Sequence, residues 1–195
     1  LRRDHQVVSY DEEGGGRAAR LLWTLDVIGH PAFSLLNGGL TAWQEEQRPL
    51  TSIITPRPPS DYRIERADRS LATKEYILAH LQDPGVVLLD TRSPGEFRGE
   101  NKRAARGGHI PGAKNFDWIR AMDINHGLRF KPAEELRAAF TALGVTPDKE
   151  VIAYCQTHHR SAHTYMVLKS LGYPRIKGYP GSWSEWGNRT DTPVE

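Results

Sequence analysis

The chain has 195 residues, room for one large domain or for one complete and one partial domain, and its 38% hydrophobic and 26% charged residues are those of a globular protein. Lysine and arginine number 26 against 24 acidic residues, and this net charge of +2 gives no support for a nucleic-acid footprint of the strongly basic kind. No apolar run approaches the ~20 residues of a membrane span, and a single cysteine excludes an internal disulfide framework and points to a reducing compartment, the cytoplasm.

In chain order, the segment from Val7 to Trp43 returns, in altered form, from Val151 to Trp186. Arg17 pairs with Arg160, Pro31 with Pro174, Gly38 with Gly181 and Trp43 with Trp186 at one constant offset, while Asp11 and Cys155 stand one residue further apart. Each segment reads as strand, polar loop, helix closed by Gly29 or Gly172, strand, turn and helix. That alternation predicts an α/β architecture with a parallel sheet. The proline-rich stretch Thr55 to Ser60 reads as an extended linker, which divides the chain into an early unit over residues 1–50, a linker over residues 51–60 and a complete domain over residues 61–195. Within the last, Thr73 is a helix N-cap with the helix ending near Gln82, and Val86 to Leu89 form a buried strand closing on Asp90. Pro132, Glu134 and Glu135 open another helix that Gly144 stops.

Cys155 ends the apolar run VIAY and opens the loop CQTHHRS, followed by a predicted helix from Ser161 to Leu171. A thiol at the carboxyl end of a parallel strand, facing a helix N-terminus, sits where anions bind. Such a field lowers a thiol pKa from its usual ~8.5 and supplies thiolate at neutral pH. Arg160 adds a permanent charge. The alternative, a buried and inert cysteine, fits poorly with the polar, basic flanks. An anionic sulfur bound to Cys155 would be served by the backbone N–H groups of residues 156 to 160 and by the Arg160 guanidinium.

Four motifs, LLDTRSPGEF with Asp90 and Arg92, GGHIPGAKNF with His109, Gly112 and Ala113, the loop Cys155 to Arg160 followed by Ser161, and GSWSEWG with Trp183 and Trp186, resemble the rhodanese family in order and spacing. The loop CQTHHRS is similar to that of bacterial two-domain thiosulfate sulfurtransferases, whose first domain is a silent copy. The resemblance implies a rhodanese-like α/β domain, its parallel sheet flanked by helices, preceded by part of a second, inactive rhodanese-like domain in which Asp11 replaces the sulfur-carrying cysteine. It also implies that Cys155 takes the outer sulfur of thiosulfate as a persulfide and passes it to a thiophilic acceptor, cyanide or a thiol, without a metal or other cofactor. Gln156, Thr157, His158, His159, Arg160, Ser161, Arg92 and Trp183 are the expected substrate-binding residues. His158 and His159 tune the pocket's charge, Asp90 pairs with Arg92, and the basic loop Lys102, Arg103 and Arg106 steers an anionic donor.

Glu96 stands where some mitochondrial rhodaneses and mercaptopyruvate enzymes carry a substrate-binding arginine, which favours thiosulfate as the donor. A metal on Cys155, His159 and His163 lacks an evident fourth ligand and would occupy the nucleophile. Two other functions remain open. One is a sulfur relay to a protein acceptor. The other is a rhodanese-fold cysteine phosphatase, whose loop places five residues between cysteine and arginine where this chain has only Gln156 to His159.

Overall fold

The strand Val86–Asp90 (β3) is apolar from Val86 to Leu89 because it lies inside a sheet covered on both faces, the environment that demands continuous rather than alternating hydrophobicity. In the computed structural model, which describes residues 1–65 and 68–195, β3 pairs in parallel with Lys114–Asn115 (β4) on one side and Glu150–Tyr154 (β7) on the other. Ile176–Gly178 (β8) completes the sheet in the order β4-β3-β7-β8. The strands Met122–Asp123 (β5) and Arg129–Phe130 (β6) form a small antiparallel pair beside it.

The early segment runs Val7–Ser9 (β1), Gly16–Val27 (α1), Phe33–Leu35 (β2) and Gly39–Glu45 (α2), with β1 and β2 parallel. The late segment runs β7, Arg160–Ser170 (α6), β8 and Ser182–Trp186 (α7), in the same order of elements. The chain leaves α1 through Gly29 and α6 through Gly172, both at positive φ, where a side chain would be strained. Residues 51–60 are exposed and form neither helix nor strand.

The remaining helices are Lys74–Ala79 (α3), Pro94–Phe97 (α4) and Ala133–Ala142 (α5). Thr73 caps α3 by accepting from the Tyr76 N–H. The helix stops at Ala79, short of Gln82, because the chain tightens into turns at His80 and Asp83 ahead of Pro84, which disfavours helix at the residue before it. The short helix α4 is closed by a capping box in which Ser93 and Glu96 satisfy each other's backbone N–H groups. Among the described residues no helix is long and apolar enough to cross a membrane.

Two apolar clusters cover the sheet. One gathers Ile77, Ile110, Tyr154, Tyr179, Trp183 and Trp186. The other joins Phe140 of α5 and Ala162, Val167 and Leu168 of α6 to Ala19, Leu22 and Trp23 of α1, so the early segment shares a core with the late one. The contact is reinforced by buried Asp26, which accepts from the Tyr165 hydroxyl and the Lys169 ammonium, both at 2.6 Å. Leu22 is fully buried there. Leu22→Ala is expected to destabilise the whole chain by about 2–5 kcal/mol, measured by urea unfolding; a loss under ~1 kcal/mol would show that α1 is not part of the core.

Candidate active site

The buried strand β7 delivers Cys155 to the carboxyl edge of the sheet, where the chain must leave the strand and enter α6. Cys155 is 1% exposed. Its N–H donates to Ser182 Oγ at 3.3 Å and its carbonyl accepts from the Trp183 N–H at 2.9 Å, while the Gln156 carbonyl accepts from the Ser184 N–H. The start of α7 therefore fixes the base of the loop. Ser182 is itself held by donating to the Tyr179 carbonyl.

Beyond Cys155 the loop turns at His158, which has φ +62°, and enters α6 through right-handed His159. A left-handed residue beside a right-handed one makes successive N–H groups converge, the geometry of an anion nest. Among the described residues, none of the N–H groups from Gln156 to Ser161 has a protein acceptor. The early loop shows what such a ring of donors does. There the counterpart of Cys155, buried Asp11, accepts from the N–H groups of Glu13, Gly15, Arg17 and Ala18 at 2.7–2.9 Å. Burial opposes the charge, but these donors outweigh it and hold the Asp11 carboxyl below the usual carboxylate range.

The loop side chains are fixed in different ways. His158 is fully buried, its Nδ1 bonded to Ser161 Oγ at 2.7 Å and its ring edge-on to Trp23 of α1. Burial, with the charge of Arg20 and the neighbouring His159, pushes its pKa well below the usual imidazole value. His158 is thus neutral packing, and the expectation that it tunes the pocket's charge is corrected. Thr157 and His159 are exposed and bonded to each other. Gln156 Nε2 donates to the Arg103 carbonyl at 2.9 Å.

Arg160 forms a two-pronged pair with Glu96, Nη1 to Oε2 at 2.7 Å and Nη2 to Oε1 at 2.9 Å. Burial opposes both charges. Even so, Arg160 and the Ser93 donors hold the Glu96 carboxyl at about 2, and Glu96 together with the Cys155 sulfur keeps Arg160 firmly charged. The sequence showed Glu96 only as a departure from a family pattern; its capping motif S-P-G-E signals the local role but not the ion pair.

Two expected substrate contacts are placed elsewhere. Arg92 is 1% exposed, its guanidinium bonded to both Asp90 oxygens and to the Gly108 carbonyl, with the Trp183 ring stacked 4.4 Å away. Trp183 is equally buried and donates to the Arg106 carbonyl. Both brace the end of β3 beneath the loop, because a buried guanidinium must be satisfied internally. His109 stacks on Phe97, Trp186 donates to the Pro193 carbonyl, and Arg106 is tied to Thr192 and Trp186, all as packing. Lys102 and Arg103 remain exposed, with Arg103 also 3.4 Å from Glu96. His163 is buried between Trp118 and Phe130, and burial lowers its pKa to about 4. Among the described residues no three His, Cys, Asp or Glu side chains converge as a metal site.

A sequence model of the rhodanese-like domain matches residues 73–189, from the cap of α3 through the cysteine loop and α7. The chain belongs to the rhodanese-like family. This rhodanese-like chain is 50% identical to a thiosulfate sulfurtransferase of Azotobacter vinelandii, over 96% of its own length and 69% of the relative's. It is 47% identical to a thiosulfate sulfurtransferase of Pseudomonas aeruginosa, covering 71% of it. It is also 41% identical to the sulfur carrier protein TtuD of Thermus thermophilus, covering 72%. Among solved structures, the anaerobic ergothioneine biosynthesis enzyme of Chlorobium limicola superposes with a TM-score of 0.90 at 22% identity, a likeness of fold. The chain spans about half of that structure, 52% of its length.

Asp11→Asn is expected to cost about 1.5–3 kcal/mol at neutral pH, the scale of a charged hydrogen bond. Because the folded state depresses the Asp11 pKa, its contribution is complete above the ordinary carboxylate range and fades as pH falls through the folded value. Wild type and variant should therefore converge in stability in acid, as read by denaturant midpoints across pH; a constant gap would show that the carboxylate charge is not what the loop holds.

Proposed function

We propose that the chain is a thiosulfate sulfurtransferase that carries sulfane sulfur as a persulfide on Cys155. The observation that carries this reading is the run of N–H groups from Gln156 to Ser161, without protein acceptors among the described residues, in the loop that Cys155 opens and whose early counterpart is filled by a carboxylate. The Cys155 thiolate attacks the outer sulfur of thiosulfate, the sulfur–sulfur bond breaks, and sulfite leaves with the electron pair. The terminal sulfur of the resulting persulfide is anionic, and the N–H groups of Gln156 to Ser161 together with the Arg160 charge are its partners. Cyanide or a thiol then attacks that sulfur and returns the thiolate, the ping-pong course of covalent catalysis. Displacement at sulfur calls for no metal or other cofactor. Relatives named thiosulfate sulfurtransferases support the choice of donor.

In this reading residues 61–195 are the catalytic unit. Residues 1–50 are part of a silent one, because Asp11 supplies its loop with a permanent anion, and residues 51–60 link the two. A reactive thiol with no second cysteine suits a reducing compartment such as the cytoplasm. A second reading, relay of the persulfide sulfur to a protein acceptor, is favoured by the likeness to a sulfur carrier protein and by the exposed Lys102 and Arg103 beside the loop.

Incubation with thiosulfate should add one sulfur atom to the chain, visible by mass spectrometry and removed by cyanide with release of thiocyanate; Cys155→Ser should abolish both, and thiocyanate formation by that variant would assign the nucleophile elsewhere. One residue inserted between Cys155 and Arg160 should carry the N–H groups outward, to a radius suited to several oxygens, so sulfur transfer falls and affinity for phosphate rises. A folded insertion variant with full sulfurtransferase turnover would return weight to the phosphatase reading.

A further inference from the structure

The charge nearest the loop in sequence is shared with a carboxylate. Arg160 acts on the Cys155 sulfur while sharing a two-pronged contact with Glu96, so part of its charge is taken up by that carboxylate. A second guanidinium reaches the loop from the early segment. Arg20 of α1 donates from Nη1 to the Thr157 carbonyl at 2.8 Å and lies 5.2 Å over the Trp23 ring, against which His158 is packed. Among the described residues no carboxylate pairs with Arg20. It is half-buried, and although burial disfavours its charge, the field of the Cys155 sulfur favours it.

We propose that Arg20, carried by the segment that lacks a nucleophile, is a positioning residue for sulfur transfer, supplying a second positive charge beside Arg160, one that no carboxylate shares among the described residues, and holding the cysteine loop through Thr157. Several geometric consequences agree. The bond to the Thr157 carbonyl occupies the acceptor side of the loop's main chain and leaves its N–H groups to the sulfur. The same side chain covers Trp23, whose indole donates to the Ser70 carbonyl, so the guanidinium is seated on a fixed platform. A charge in that position acts on every anionic species of the reaction, the donor, the thiolate and the persulfide, and adds to the field of Arg160. The early segment on this view has a part in the chemistry although Asp11 stands where its own cysteine would be.

The inference rests on the persulfide reading, and its test keeps the two apart. Arg20→Gln, Arg20→Lys and the control Arg17→Gln, an exposed arginine paired with Glu12 and Glu13, are compared with wild type for thiosulfate kcat/KM at several salt concentrations. Mass spectrometry records the sulfur adduct, and circular dichroism confirms folding. Arg20→Gln should lower kcat/KM on the order of tenfold, the scale of one charge-assisted hydrogen bond. It should also flatten the decline of kcat/KM with added salt, because the screened charge is gone. Arg20→Lys should restore the salt dependence and part of the rate, and Arg17→Gln should match wild type. The adduct should still form in Arg20→Gln on long incubation. An unchanged kcat/KM and salt slope in Arg20→Gln, or an Arg20→Lys variant as impaired as Arg20→Gln, would overturn the role of the charge. Absence of the adduct in wild type would instead overturn the sulfur-transfer reading beneath it.

Discussion

A strand that ends inside a sheet and passes at once into a helix leaves a set of backbone N–H groups with no helical carbonyl to receive them. Unmet donors in a buried loop are costly, so the turn is viable only if water or an anion takes them. Both segments of this chain face that constraint and answer it differently. In the early loop Asp11 folds its own carboxylate into the ring, and the requirement is met permanently. In the late loop a cysteine occupies the position, and the N–H groups of Gln156 to Ser161 are left without protein acceptors among the described residues. Reactivity in this fold is thus the consequence of a hydrogen-bonding requirement left open at one residue.

The charges around the loop are layered about that opening. Deepest are Arg92 and Asp90, wholly internal, stacked under Trp183 and closing the end of β3. Arg160 and Glu96 come next, partly buried, with Glu96 anchored by the cap of α4. The inner pair is internal framework, whereas Arg160 divides its interactions between Glu96 and the Cys155 sulfur. Further positive charge enters from the periphery, through Arg20 and the exposed Lys102 and Arg103.

Local signals in the sequence carried the fold a long way. The continuous apolar run of β3, the Thr73 cap, the Pro132 start and Gly144 stop of α5, and the position of Cys155 between β7 and α6 are all settled within a few residues of chain. The short strands β4, β5 and β6 have too few residues for any period to register. The burial of His158 escapes a reading of the sequence for a different reason. A histidine amid polar neighbours looks like a surface residue, and its burial is decided by Trp23, more than a hundred positions earlier. Arg20, Trp23 and Ser182 left no trace as site residues because their relation to Cys155 exists only once α1 lies on α6 and α7 closes beneath the loop. Resemblance alone points Arg92 and Trp183 toward substrate, while their internal satisfaction is a property of the packed structure.

The seat of His158 also bears on how this sequence can drift. Gly178 of β8 passes directly under the imidazole, and a methyl group there would collide with His158 Nε2 and approach the Trp23 indole nitrogen to 2.6 Å. Glycine is held at this position by the absence of room, since its φ is not among the left-handed ones. Three positions far apart in the chain, 23, 158 and 178, are therefore not free to vary one at a time. A bulkier residue at 178 becomes acceptable only after the ring at 158 shrinks, and a smaller residue at 158 leaves a void against Trp23. In related chains the three should covary, so that a change at one is a marker for changes at the others.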